Sequence, residues 1–175
     1  MITQANRGMG LESMINYSNE IYRTRGIAVI HKRPVPVKII RTKGNQILQA
    51  YLEAHSTVDY EGVYREHSLQ FEAKSTRVKT RFDLVNFHTH QVEHLRSCAR
   101  HGAVAFVIVE FATSDERYLL PADTLIRFWD VAQSGGSKSI PLQDVAESGF
   151  RISSGRGVPV DYLAIVDRLL DPNTA

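Results

Sequence analysis

The stretch of residues 103–111, Ala-Val-Ala-Phe-Val-Ile-Val-Glu-Phe, constrains the fold more than any other part of the chain. It is almost continuously apolar and rich in valine, the pattern of a central strand covered on both faces. Such a strand needs a layer on each side, and its neighbours in sequence read as helices. Residues 86–100, closed by Gly102, carry Phe87, Leu95, Cys98 and Ala99 as apolar positions, and residues 122–132 turn Leu125, Ile126 and Trp129 inward. Leu11, Ile15, Ser18 and Tyr22 recur at helical spacing over residues 10–24, with Gly26 just beyond as a stop and Glu12 at the edge of the stripe. A last helix is expected over residues 159–170, further strands over 27–31 and 118–120, and a loop at Ser134-Gly135-Gly136-Ser137. Together these make an α/β fold with a central mixed sheet flanked by helices. At 175 residues one domain spanning 1–175 can bury its own core.

One segment does not belong to such a core. Lys32-Arg33-Pro34-Val35-Pro36-Val37-Lys38-Ile39-Ile40-Arg41-Thr42-Lys43-Gly44-Asn45 contains two prolines that forbid a helix and ends in a turn signal. Residues 46–51 then return. The expectation is an extended hairpin arm over about 33–50, with basic residues near its tip.

A second hairpin follows, over residues 58–65 and 68–74, with Glu66-His67 near its turn. In its second strand Leu69, Phe71 and Ala73 face one way and Gln70, Glu72 and Lys74 the other. Asp59 lies at the start of the partner strand. Two carboxylates and an amine so placed can hold a divalent metal beside a scissile phosphate and offset the charge that builds there. Glu-x-Lys alone is a weak pattern, and the competing reading is a cross-strand ion pair on a solvated face. Next, Arg77, Lys79 and Arg81 alternate with Val78, Thr80 and Phe82. If that segment is extended, it lines three cations along one edge close to the carboxylates.

Charge distribution bears on the choice. Residues 1–50 hold eight Lys/Arg against two Asp/Glu, whereas residues 102–175 hold ten Asp/Glu against six Lys/Arg. The basic half contains the candidate site, so a polyanion such as nucleic acid is the natural partner. No apolar run approaches the length of a membrane span, the N-terminus lacks the layout of a signal peptide, and the lone Cys98 excludes an internal disulfide. A cytoplasmic protein without a membrane partner is expected, with Cys98 as a small buried helix residue.

A different chemistry competes for the second helix. His90-Gln91-Val92-Glu93-His94 matches the H-x-x-E-H pattern of inverted zinc peptidases, with His88 nearby. Its third ligand would have to be chosen arbitrarily among Glu110, Glu116 and Glu147. The plainer reading is a polar helix face. If this helix borders the carboxylates, the carbonyl oxygen of Gln91 can complete a hard-metal shell.

Eight motifs occur in register with one known family: Asn6-Arg7-Gly8-Met9-Gly10-Leu11-Glu12, Ala28-Val29-Ile30-His31-Lys32-Arg33-Pro34, Ser56-Thr57-Val58-Asp59-Tyr60-Glu61-Gly62, Phe71-Glu72-Ala73-Lys74, His88-Thr89-His90-Gln91, Phe128-Trp129-Asp130, Lys138-Ser139-Ile140 and Asp161-Tyr162. In this order the chain resembles RecU-type Holliday junction resolvases over nearly its whole length. The resemblance implies a restriction-endonuclease-like fold with a protruding β-stalk. It also implies a Mg²⁺-dependent homodimer (Mn²⁺ being a possible substitute) that makes paired symmetric nicks in four-way DNA junctions, leaving 5′-phosphates. By position the metal ligands fall on Thr57, Asp59, Glu72 and Gln91, and Lys74 takes the transition-state-stabilising role. Glu12 joins Asp59, Glu72 and Lys74 as a supporting catalytic acid. Arg7, Lys32, Arg33, Lys38, Arg41 and Lys43 are the implied DNA contacts, beside the stripe Arg77, Lys79 and Arg81. Such an enzyme belongs in the cytoplasm with the nucleoid of a bacterium, or is encoded by a phage, and a recombinase or branch-migration helicase is a conceivable partner. The arm is several residues shorter than in typical cellular members. That leaves two alternatives: a less selective nuclease of branched or duplex DNA, and a junction-binding accessory whose cleavage is secondary.

Overall fold

The computed structural model describes residues 10–53 and 57–171. A six-stranded mixed sheet organises the body. Its strands are β1 (Val29–Lys32), β4 (Tyr60–Tyr64), β5 (His67–Thr76), β7 (Val104–Phe111), β8 (Glu116–Pro121) and β10 (Phe150–Arg151), in the spatial order β1-β4-β5-β7-β8-β10. Only the β5–β7 pair is parallel, with Glu72 beside Val107 and Lys74 beside Val109. As the run 103–111 demands, β7 is central and side chains on both its faces are buried.

Alternation along β5 and β7 divides the interior in two. Phe71, Ala73, Phe106 and Ile108 pack with Leu11, Ile15 and Tyr22 of α1 (Leu11–Thr24) and with Leu163 and Val166 of α5 (Leu163–Leu170). On the opposite face Val107 and Val109 pack with Val92 and Leu95 of α2 (Thr89–Arg100) and with Leu125 and Trp129 of α3 (Ala122–Gln133). The first helix, the strand expected over 27–31, the hairpin and the α/β layering are therefore all present. Gly62 is required where β1 crosses β4, because a Cβ there would lie 2.3 Å from the Val29 carbonyl oxygen.

The arm stands apart as its own two-stranded sheet, β2 (Val37–Lys43) with β3 (Gln46–Leu52), and every residue of both strands is exposed. Its turn is at Gly44, whose φ of 58° is the left-handed conformation glycine tolerates. The register shifts between Ile39 and Arg41 and shifts back between Arg41 and Thr42, a local irregularity that leaves the rest of the ladder in phase.

Several boundaries differ from expectation for local reasons. The β4–β5 turn falls on Arg65 and Glu66, both with positive φ, as a two-residue hairpin turn requires. The helix expected over 86–100 is preceded by a separate 3₁₀ turn, Leu84–Asn86, because Phe87 and His88 are extended; α2 starts at Thr89. The last helix starts only at Leu163, since the Asp161 N–H is held by the Ser153 carbonyl in the preceding loop. Residues 77–80 do not continue as a strand; only β6 (Arg81–Asp83) is extended, paired with β9 (Ser139–Pro141). A short α4 (Leu142–Ser148) buries just Val145 and carries too little periodicity to be read from sequence.

Candidate active site

Strand register builds the site. Tyr60 pairs with Phe71, so Asp59, one residue before β4, falls against Glu72 and Ala73 on β5. The Asp59 backbone N–H donates to Glu72 Oε2 at 3.0 Å, and the Ala73 N–H donates to Asp59 Oδ2 at 3.2 Å. Glu72 Oε1 accepts from Lys74 Nζ at 2.6 Å and from Gln91 Nε2 at 2.5 Å. The period-two alternation of β5 puts Glu72 and Lys74 on one face, and α2 lies over that face and delivers Gln91.

The reading of a solvated ion pair does not hold, because Glu72 is 0% exposed. Burial is the largest influence on its carboxyl. The hydrogen bond from Lys74 opposes it, the charge of Asp59 adds to it, and the net effect pushes Glu72 up to about 7 from 4.5. A buried carboxylate pressed against a second one and only partly compensated by an amine is a place where added positive charge is favoured. Thr57, Asp59, Glu72 and Gln91 offer oxygen donors only, a set that fits a hard divalent cation.

Gln91 is held in a definite orientation. An ionised carboxylate only accepts, so the NH₂ must face Glu72. The carboxamide oxygen accepts from the His88 N–H at 3.0 Å, capping α2. One lone pair of the expected ligand oxygen is thus engaged by the helix cap, while the NH₂ faces Glu72.

The remaining expected residues divide into those the fold brings close and those it does not. Thr57 Oγ1 accepts from the Arg33 guanidinium, and the Arg33 N–H donates to the Asp59 carbonyl at 2.7 Å. Arg33 also pairs with Glu61 at 3.4 Å, so it is less free for DNA than expected. Lys32, another expected DNA contact, forms an ion pair with Glu12 across two exposed side chains. Glu12 touches neither carboxylate directly. Its backbone carbonyl meets the Tyr60 hydroxyl at 3.4 Å, and burial first, then the charges of Glu12, Asp59 and Glu72, push Tyr60 upward. Asn16, unnoticed in the sequence, accepts from the same hydroxyl at 3.0 Å. Arg7 lies outside the described residues.

Among the cations, Lys38, Arg41 and Lys43 are exposed on β2. The stripe Arg77, Lys79 and Arg81 is corrected in two respects. Residues 77–80 are not a strand, with a bend at 79–80, so the alternation does not run along one strand, and Arg81 Nε is bound to Asp83 at 2.9 Å. Cys98 is half-buried rather than buried, with its sulfur 3.4 Å from His94 Nε2.

The H-x-x-E-H residues do not converge. His94 is engaged by Gln70 at 3.2 Å, Glu93 by Arg96 at 3.3 Å, and the His88 and His90 rings stack on each other. Among the described residues no three His, Cys, Asp or Glu side chains are grouped to hold a metal. Sequence reading also missed the buried pair Glu110–Arg117, 2.9 Å apart, with Ser75 donating to Glu110. The place of Glu110 in the apolar run 103–111 was a signal of burial, whereas the pattern around Arg117 carried none.

No helix among the described residues is long and apolar enough to cross a membrane. The family model described as Recombination protein U, RecU, matches residues 6–168. A "Holliday junction resolvase RecU" of Levilactobacillus brevis is 46% identical over 169 residues, covering 94% of this chain and 84% of the relative. The protein of the same name from Geobacillus sp. strain WCH70 is 47% identical with the same coverage, and that of Lactococcus lactis is 43% identical over 98% of this chain and 82% of its own length. With its motifs distributed along that whole match and its carboxylates, lysine and glutamine gathered on one sheet face, the chain belongs to the RecU family.

Proposed function

We propose that the chain is a divalent-metal-dependent endonuclease that resolves four-way DNA junctions by paired nicks. The observation that carries this reading is the buried Glu72 carboxylate, tied at once to the Asp59 loop, to Lys74 and to Gln91. The names of the relatives supply the substrate class.

Thr57, Asp59, Glu72 and Gln91 form the donor set for Mg²⁺, with Mn²⁺ as a substitute. When bound, such a cation lowers the pKa of a water and offsets charge on the phosphate. The protein's own contribution is positional. Reciprocal backbone hydrogen bonds hold Asp59 and Glu72 rigidly. Lys74, partly exposed, presents its ammonium toward the phosphate and donates to an equatorial oxygen as negative charge develops there. Water attack at phosphorus breaks the bond to the 3′ oxygen, leaving a 5′-phosphate and a 3′-hydroxyl. Glu12 supports the site through Lys32 and the Tyr60 contact. Lys38, Arg41 and Lys43 on the arm, with Arg77 and Lys79 on the body, hold the DNA backbone. A homodimer places two such sites on opposed strands, so that two-fold symmetry yields symmetric nicks.

The test is cleavage of a synthetic four-way junction with Mg²⁺, alongside a linear duplex, for wild type, Asp59→Ala and Lys74→Ala. Wild type should cut the junction in preference to duplex and both variants should be inactive. Equal cutting by all three proteins would remove the site assignment, and equal cutting of duplex would remove the junction preference.

A further inference from the structure

We propose that Arg33 is a positioning residue for the metal-ligand loop, fixing the Thr57 hydroxyl and tying the root of the arm to it, rather than a contact to DNA. The inference rests on the nuclease reading above and deepens it.

The arm is an insertion between β1 and β4, and its two roots meet at this arginine. Arg33 directly follows β1, and its N–H extends the β1–β4 pairing by donating to the Asp59 carbonyl at 2.7 Å. Pro34 and Pro36 come next, each with a fixed φ. The returning strand is closed by the Glu53 N–H on the Pro36 carbonyl at 3.0 Å, and the Thr57 hydroxyl, four residues on, accepts from Arg33. One side chain therefore holds the far end of the insertion while its own backbone holds Asp59. Arg33 is 33% exposed, with its guanidinium engaged by Thr57 and Glu61.

The chemistry suits holding rather than DNA binding. A hydroxyl oxygen has two lone pairs and rotates to suit its partners. Accepting from Arg33 uses one lone pair and fixes where the other points, which makes a threonine a defined ligand rather than a rotor. A guanidinium reaches two acceptors from separate nitrogens of one planar fork, here Thr57 and Glu61, whereas an ammonium offers its donors from a single nitrogen without that fixed span. Glu61, at 3.4 Å, offsets the positive charge that would otherwise repel a cation at the neighbouring carboxylates.

The experiment uses the full chain and two readouts: calorimetric titration of Mn²⁺ without DNA, and junction affinity in EDTA. Arg33→Lys keeps the charge and loses the fork. It should weaken Mn²⁺ binding about tenfold, as loss of a group that orients a ligand does, while junction affinity changes about twofold or less, since the cation count is unchanged. Glu61→Gln should weaken Mn²⁺ binding without reducing junction affinity. Thr57→Val removes the acceptor, so adding Arg33→Lys to it should cost little more, the non-additivity expected of residues acting as a unit. Thermal unfolding of each variant identifies any that fail to fold, and the double-variant comparison, made on the Thr57→Val background, serves if Arg33→Lys alone is unstable. Wild-type Mn²⁺ affinity in Arg33→Lys, or full additivity with Thr57→Val, overturns the proposal. Failure of the wild-type protein to bind Mn²⁺ or to cut junctions overturns the nuclease reading instead, and the two failures are distinct.

Discussion

Asp59 and Glu72 are locked to each other through backbone: Glu72 accepts the Asp59 N–H at 3.0 Å, and Asp59 accepts the N–H of Ala73, the next residue along β5, at 3.2 Å. Neither carboxylate can move away from the other without breaking one of these hydrogen bonds to backbone. Repulsion between them is consequently built into the fold, and it shapes the behaviour of the whole site.

Glu72→Gln should abolish cleavage and stabilise the protein above neutral pH. The folded-state pKa of Glu72 is raised from 4.5 to about 7. Between those values the folded state binds a proton that the unfolded state has released, so stability falls as pH rises across that window and is level above it. Glutamine removes the penalty but leaves Lys74 without its partner, so a net gain of about 1–2 kcal/mol is expected at alkaline pH. Urea unfolding of both proteins at acidic and alkaline pH measures it; a less stable variant at alkaline pH would contradict the raised pKa.

Metal binding should weaken as pH falls through about 7. A protonated Glu72 is a poor ligand, and each further pH unit below its pKa costs about tenfold in apparent affinity when one proton is displaced. Mn²⁺ calorimetry over a pH series reads the slope. A flat profile from slightly acidic to alkaline pH would show that Glu72 is not a ligand.

Lys74→Ala should produce two separable effects. Single-turnover cleavage should fall about 100-fold or more with loss of the group facing the developing charge. The midpoint of the pH profile for metal binding should also move upward, because the Lys74 hydrogen bond opposes the rise of the Glu72 pKa. An unmoved midpoint would mean that Lys74 does not act on Glu72 in solution.

On the arm, Arg41→Ala with Lys43→Ala should weaken junction binding and lower the salt slope by about two for each arm of the dimer that engages the DNA, one for each phosphate no longer neutralised. Mn²⁺ affinity should stay as in wild type, since both residues are on β2, away from the carboxylates. Fluorescence anisotropy against a salt series decides it, and an unchanged slope would take the tip out of the DNA interface.

Much of the fold was legible because it depends on local pattern. The valine-rich run became central β7, the stripe Leu11, Ile15, Ser18 and Tyr22 became the buried face of α1, and the Lys43-Gly44-Asn45 signal became the arm's turn. Short elements were not legible. α4 buries one residue and β10 has two, too few for any period to register. The stripe Arg77, Lys79, Arg81 alternated in sequence but did not form one strand, because the backbone bends at 79–80 and Arg81 pairs instead with Pro141 of β9.

For the site, sequence alone determined that Glu72 and Lys74 share a face of β5, since side chains along a strand alternate whatever lies around them. It could not determine that this face is dry. That was decided by α2, which packs over β5 and places Gln91, nineteen residues away in sequence, 2.5 Å from Glu72. The contacts of Arg33 and Glu12 were likewise decided in space, by partners twenty or more residues distant. Alternation is a property of the chain, whereas desolvation is a property of whatever packs against it, and the raised pKa of Glu72 comes first from desolvation.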